Sequence, residues 1–258
     1  MHNKTLYIAG YGVMPEEDRC GFIDRIIDES DAIFMLEKPG SWLDRRLTEH
    51  DNYVKNYIEL YQDGVDRLAI YNNICDDILL QFEEVSQAVY LTEGNPFLLD
   101  YISSTLEKKA SEFNIEVISA PGLSSLDKLL FELRVPIEKF GIQVYLANYF
   151  CYESPSINID GILILMQPGN IGSTKVTING VDKNSIDLLQ IELISCFGEE
   201  AHWMLVNLSN EAGNPSRILW GKLSNLSEFY DYMHSGSLVV SSSWLPDCFE
   251  SVEMTSID

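Results

Sequence analysis

The sequence predicts an α/β protein of two lobes, with a mostly parallel sheet in the first lobe and a mixed sheet in the second. Three observations predict it. The chain opens strand-loop-helix-strand, an order that favours parallel strands with right-handed crossovers. Strands and helices then alternate up to a Pro-Gly break at residues 121–122. Beyond that break the strands come closer together and the helices thin out.

Taken in order, Leu6-Tyr7-Ile8-Ala9 is a short buried strand ending in Gly10-Tyr11-Gly12. Glu16 to Ser30 carries Phe22, Ile23, Ile26 and Ile27 at a helical period. Ala32 to Leu36 is the second strand. Asp66 to Phe82 is helical, with Leu68, Tyr71, Ile74, Ile78 and Leu79 on one side. Ala88 to Thr92 is a strand stopped by Gly94-Asn95-Pro96, Leu99 to Phe113 a helix, and Ile115 to Ile118 a strand. Ser124 caps a helix running to Leu133. The lobes divide near 119–123, giving an N-terminal lobe over 1–120 and a C-terminal lobe over 121–258. In the second lobe Gly161–Gln167, Lys175–Ile178, His202–Leu208 and Leu238–Ser241 are strands and Ser185–Phe197 a helix.

Composition narrows the function. Of 258 residues, 46% are hydrophobic, as in a folded globular protein. No apolar run approaches the roughly 20 residues of a membrane helix. Met1-His2-Asn3-Lys4 leads into the first strand with no cleavage-site pattern, so the expectation is a cytoplasmic protein without membrane contact. The five cysteines (Cys20, Cys75, Cys151, Cys196, Cys248) show no CxxC pair, which argues against a disulfide framework or a structural zinc. The four histidines form no ligand pattern, and a metal held by carboxylates alone stays open. The net charge of −23 repels phosphate backbones, so nucleic acid is a poor partner. That charge suits a basic peptide or protein, and it also serves plain solubility.

Two loops could carry chemistry. Thr92-Glu93-Gly94-Asn95-Pro96-Phe97 and Ala120-Pro121-Gly122-Leu123-Ser124-Ser125 each follow a strand and open a helix. Ligands of open α/β sheets bind beyond the carboxyl ends of strands, and a helix start offers free N–H donors. Either loop alone could be ordinary punctuation, and Ser124 a plain cap. Gly10-Tyr11-Gly12 lacks the third glycine of a dinucleotide fingerprint, and no acidic residue ends the second strand.

This strand-GxP-helix-strand-PGxSS order resembles the tetrapyrrole-methylase superfamily of class III methyltransferases, whose usual first loop is Gly-Asp-Pro. One branch, the borosin-type peptide backbone α-N-methyltransferases, has Gly-His-Pro there. Leu60-Tyr61-Gln62 followed by Asp66-Arg67 and Tyr71 is similar to that branch's catalytic helix. The resemblance implies S-adenosylmethionine as cofactor, held by Glu93, Gly94, Asn95, Pro96, Leu98, Ser124 and Ser125. It also implies contacts from Gln167 at the end of Leu163–Gln167, from Ala212 after Glu211, and from Ser237 and Leu238. It further implies a homodimer and a precursor peptide as acceptor. Ser251 to Asp258 makes no convincing core peptide, so the precursor is expected to be a separate chain.

The branch often carries Tyr where this chain has Glu93, a departure that keeps a catalytically silent, peptide-binding relative in view. A tetrapyrrole or other small-molecule acceptor is the other alternative, weakened for a polycarboxylate by only 17 basic residues. In the peptide reading, Arg67 and Tyr71 share a helix face at i and i+4. Arg67 lowers the Tyr71 pKa or holds the substrate oxygen, Tyr71 takes the amide proton, and Tyr61 positions the peptide. Against this stands Tyr71 as a core residue with Arg67 at the surface. Gln167 is expected to end a buried strand and so to need a partner. Tyr145, Tyr149, Phe150 and Tyr152 line a peptide channel or pack between the lobes.

Overall fold

A computed structural model describes residues 4–48, 53–178, 180–210, 214–242 and 244. The chain clusters into two compact units. The first is Met1–Lys128 with Thr174–Ile178 and Ser209–Asn214, and the second is Leu129–Ser173, Asn179–Leu208 and Pro215–Asp258.

The first unit runs β1 (Lys4–Gly10), α1 (Pro15–Asp18), α2 (Gly21–Glu29), β2 (Ala32–Met35), α3 (Trp42–Leu47), β3 (Tyr53–Asn56), α4 (Arg67–Gln81), β4 (Gln87–Thr92), α5 (Tyr101–Lys109), β5 (Ile115–Ala120) and the start of α6 (Ser125–Leu133). Among the described residues its sheet has five strands in the order β3-β2-β4-β1-β5, and every pairing is parallel. Alternate residues of the strands point to opposite faces. Leu6, Ile8, Phe34 and Tyr90 face Ile70, Ile74 and Ile78 of α4 and Leu106 of α5. Ala9, Ile33, Val89 and Leu91 face Ile23 and Ile27 of α2 and Leu43 of α3. Both faces are covered, which is why these strands read as unbroken apolar runs.

Three expectations change here. The helix over 16–30 breaks, because Arg19 and Cys20 take extended backbone between α1 and α2. Asp18 has turned back to accept hydrogen bonds from the Val13 and Met14 amides, and this closes the turn after Gly12. The helix after β4 starts at Tyr101, with the Asp100 carboxylate accepting from the Ser103 amide. Leu68 of α4 is exposed, and Ile70 takes its place in the core.

Lys175–Ile178 is not a strand of the second sheet. It makes an isolated bridge to Asp66 and belongs to the first unit. Its backbone pairs with the turn ahead of α4. The Gly64 amide donates to the Val176 carbonyl, the Val176 amide to Val65, and the Arg67 amide to Thr174. Val176 is buried in the α4 core.

The second unit continues with α7 (Ile137–Phe140), β6 (Ile142–Leu146), α8 (Ala147–Glu153), β7 (Ile162–Met166), α9 (Lys183–Phe197), β8 (His202–Asn207), β9 (Arg217–Lys222) and β10 (Ser237–Ser241). Its strand order among the described residues is β6-β7-β10-β8-β9. β6 and β7 pair in parallel and the other pairs are antiparallel, so the sheet is mixed. Leu163, Leu165, Leu205 and Leu238 pack with Phe150 of α8 and Ile186, Leu189 and Leu193 of α9. Buried Trp203 donates its indole N–H to the Lys222 carbonyl and the Asn225 side chain.

Three parallel strands of the first unit end against one another at glycines. A Cβ on Gly10 would lie 2.1 Å from the Gly94 carbonyl oxygen and 2.9 Å from the Gly122 nitrogen. A Cβ on Gly122 would lie 2.1 Å from the Gly94 oxygen and 2.6 Å from the Gly10 oxygen. The obstacles are backbone atoms and cannot swing aside. Gly122→Ala is therefore expected to cost about 3 kcal/mol of unfolding free energy in urea, the upper end for overpacking. Gly21→Ala, which meets nothing within 4 Å, is expected to stay within about 0.5 kcal/mol of the parent.

Candidate functional site

Gly10-Tyr11-Gly12 and the Gly94 loop form one backbone unit. The Tyr11 amide donates to the Thr92 carbonyl and the Gly94 amide to that of Gly12. Gly12 and Gly94 both hold positive φ, +85° and +71°, a conformation open to glycine at little cost. Asn95 closes the next turn, its side-chain oxygen accepting from the Phe97 amide at 2.9 Å while its carbonyl accepts from Leu98. An aspartate could close the same Asx turn, so Asn95 keeps the loop's geometry. Pro96 is buried beside it.

The second loop meets the first across Gly94. A Cβ there would sit 3.8 Å from Ser124 Cα and 3.9 Å from both the Leu123 oxygen and the Ser125 nitrogen. Ser124 is buried and engaged in a reciprocal cap. Its hydroxyl donates to the Asp127 carboxylate and accepts from the Asp127 amide. Ser125 is the first residue of α6. Buried Lys128 donates to the Ser209 carbonyl at 2.5 Å and ties that segment to the first unit. Ala212 lies outside the described residues.

Tyr61 and Tyr71 come together, with their hydroxyls 3.3 Å apart. Their rings stack at 6.4 Å, and the Tyr101 ring also stacks with Tyr71, at 6.0 Å. Tyr101 carries no sequence signal beyond its place at the start of α5. Arg67, the first residue of α4, favours the Tyr71 phenolate, as its spacing predicted. Burial and the hydrogen bond with Tyr61 act the other way and outweigh it, so the Tyr71 pKa is raised and the side chain is a phenol at neutral pH. The expected lowering of its pKa is thus corrected by desolvation.

At the carboxyl ends of β1, β2 and β4 lies a cavity of about 400 Å³, walled by Tyr11 and Trp42 and lined by Glu37 and Glu93. Sequence reading passed over this cavity. Glu37 stands two residues beyond β2, so an acidic group does follow that strand. The Tyr11 hydroxyl donates to the Glu37 carboxylate. Burial raises the pKa of Glu37, although the bonds from Tyr11 and Ser41 pull it down. Burial first and Glu37 second raise that of Glu93, with Lys38 opposing. Glu93 faces open space and is reachable by water, yet the cavity walls strip much of its hydration. Among the described residues no cluster of three or more His, Cys, Asp or Glu could hold a metal ion, and no helix is long and apolar enough to cross a membrane.

In the second unit Gln167 is exposed, contrary to expectation. It follows β7 with left-handed backbone (φ 55°), and its side-chain oxygen accepts from Asn170 at 3.2 Å. Ser237 is buried and donates to the Met166 sulfur, and Leu238 is a core residue paired with Leu165. Tyr145 and Tyr149 stack at 6.0 Å, Phe150 is buried, and Tyr149 and Tyr152 are exposed.

Burial raises the pKa of Tyr11, Tyr57, Tyr71 and Tyr90. Their folded values lie above the unfolded value of about 10, so the folded protein keeps protons that the unfolded chain releases. The stability they contribute is complete below about pH 10 and is lost as pH rises beyond it. In an alkaline absorbance titration these four protons are expected to leave together with the loss of circular dichroism. Complete tyrosine ionisation near pH 10 with the fold intact would contradict the burial argument.

The chain matches no protein-family model. A stretch of 154 residues, 60% of this chain, is 24% identical to the methyltransferase/ribosomally synthesized cyclic peptide dendrothelin A precursor dbihMA of Dendrothele bispora. It spans 37% of that relative's length. Among solved structures, the methyltransferase CobJ superposes with a TM-score of 0.61 at 12% identity, covering 92% of this chain and 94% of CobJ. Uroporphyrin-III-C-methyltransferase from Thermus thermophilus gives 0.62 at 14% identity, covering 93% and 92%. The cobalt precorrin-4 methyltransferase CbiF gives 0.61 at 11%, covering 92% and 93%. Identities this low speak for architecture alone, and on that ground the chain has the two-sheet α/β fold of the tetrapyrrole methyltransferases.

Proposed function

We propose that this chain is an S-adenosylmethionine-dependent methyltransferase acting on backbone amide nitrogens of a ribosomal precursor peptide. Its fold and the printed name of its Dendrothele relative support the reading. The observation that carries it is the Tyr61–Tyr71 hydroxyl pair near Arg67.

The first unit offers a fit for the cofactor. Gly94 lies close to the backbone of Leu123–Ser125, where Leu123 has a carbonyl acceptor and Ser125 an amide donor. Glu93, Asn95, Pro96, Leu98 and Ser124 shape that neighbourhood. S-adenosylmethionine, when bound, supplies an activated methyl group. What the chain must supply is orientation and a way to make an amide nitrogen nucleophilic.

A peptide nitrogen becomes nucleophilic as its proton leaves and negative charge gathers on the carbonyl oxygen. Tyr71 is a phenol with one proton, so on substrate binding it turns its O–H from Tyr61 to that oxygen, and accepts from the Tyr61 hydroxyl in exchange, instead of abstracting the proton. Tyr61 holds the Tyr71 hydroxyl, and the Arg67 charge steadies the developing oxyanion. The amide proton would leave to hydroxide or another base from solvent, and the methyl group would pass to the nitrogen as its bond to the donor sulfonium breaks, leaving a neutral thioether. A polycarboxylate tetrapyrrole fits less well, because four carboxylates (Glu16, Glu17, Glu37, Glu93) and one guanidinium (Arg45) border the cavity beside the loops. The resemblance to peptide methyltransferases also implies a homodimer, which sedimentation of the purified chain tests.

Co-expression with short neighbouring reading frames, read by mass spectrometry, is expected to add one or more methyl masses to a peptide. Tyr71→Phe is expected to lower that rate about a hundredfold, the effect of removing one oxyanion donor, with S-adenosylmethionine affinity unchanged by calorimetry. Undiminished methylation in that variant would remove Tyr71 from the chemistry.

A further inference from the structure

We propose that the cavity between Tyr11 and Trp42 receives a positively charged side chain of the acceptor, so that the enzyme selects a peptide with a lysine or arginine. This inference rests on the peptide reading above and names a feature of the substrate.

The cavity lies within the first unit, just beyond the carboxyl ends of its parallel strands, where open α/β sheets take ligands. Its volume of about 400 Å³ leaves room for an extended side chain. Its walls are aromatic. The Tyr11 and Trp42 rings lie 6.0 Å apart, and the Arg19 guanidinium sits 4.8 Å from the Trp42 ring centroid, so this indole already carries one cation of the chain itself.

Its polar groups are carboxylates set in different ways. Glu37 is held by the Tyr11 hydroxyl, which fixes its direction. Glu93 makes no hydrogen bond to any described residue, and its exposed carboxylate stands close enough to feel the charge of Glu37. An ammonium or guanidinium beside Glu93 and Glu37 would relieve the repulsion between the two carboxylates. Lys38 and Arg45 stand nearby and reduce the negative field without abolishing it. Arg45 spends one N–H on the Gly40 carbonyl. Among the described residues no cluster is placed to bind a metal ion, which favours an organic cation. The net charge of −23 would draw such a peptide in.

The test uses two labelled pentapeptides, identical except for a central lysine or norleucine, with fluorescence polarisation on the full chain. The lysine peptide is expected to bind about tenfold more tightly, as one charge-assisted hydrogen bond allows. Glu93→Gln, which breaks no hydrogen bond between described residues, should remove most of that preference. Glu37→Gln combined with it should remove the rest. Glu84→Gln, an exposed acid ahead of β4 and so at its opposite end, should leave the preference intact. Equal affinity for the two peptides, or a preference that survives the double variant, would overturn the proposal. Methyl transfer to the lysine peptide is read separately by mass spectrometry. Charge preference without methylation would sink the peptide-methylation reading and leave the cavity's selectivity standing.

Discussion

The first unit depends on a backbone contact that leaves no room for a side chain. Gly10 ends β1, and Gly94 and Gly122 each stand two residues beyond β4 and β5; main-chain atoms of the three occupy the space in which a Cβ on Gly10 or Gly122 would stand. Because the contact is backbone to backbone, the loops after β1, β4 and β5 cannot shift independently. The Gly12–Gly94 bridge, the Asx turn at Asn95 and the Ser124–Asp127 cap then each fix one loop further.

Electrostatics set the character of the neighbouring groups. Tyr71 has a cation at helical spacing, and spacing alone suggests an activated phenolate. Desolvation reverses the sign, because removing water penalises the charged form more than Arg67 rewards it. The same cost raises the pKa values of Glu37 and Glu93. In both places burial works against charge.

Much of this was legible in the sequence. β1, β2 and β4 announce themselves as apolar runs because helices cover both faces of their sheet. The Pro-Gly and Gly-Asn-Pro punctuation marks the two loops. Edge strand β3 escaped, because Tyr53-Val54-Lys55-Asn56 is half exposed and mixes polar with apolar residues. Gln167 was misread because a polar residue following five buried ones looks buried, whereas the chain has already turned into left-handed backbone. Glu37 was passed over because its importance arises only when β2 lies beside β4 and brings it near Glu93. Gly10 failed as a nucleotide signature, since its role is to meet two other glycines distant in sequence.

The segment Thr174–Ile178 carries a consequence for synthesis. Val176 completes the core beneath α4, and Thr174 holds the first amide of that helix. A nascent chain emerging from the ribosome has made all five strands of its first sheet by Ala120, yet it lacks this clasp until more than fifty further residues have followed. The apolar socket for Val176 therefore stands uncovered during that interval, and a chain cut at the obvious Pro-Gly break would keep it uncovered permanently. The first half of this protein is not a module that can be released by one cut.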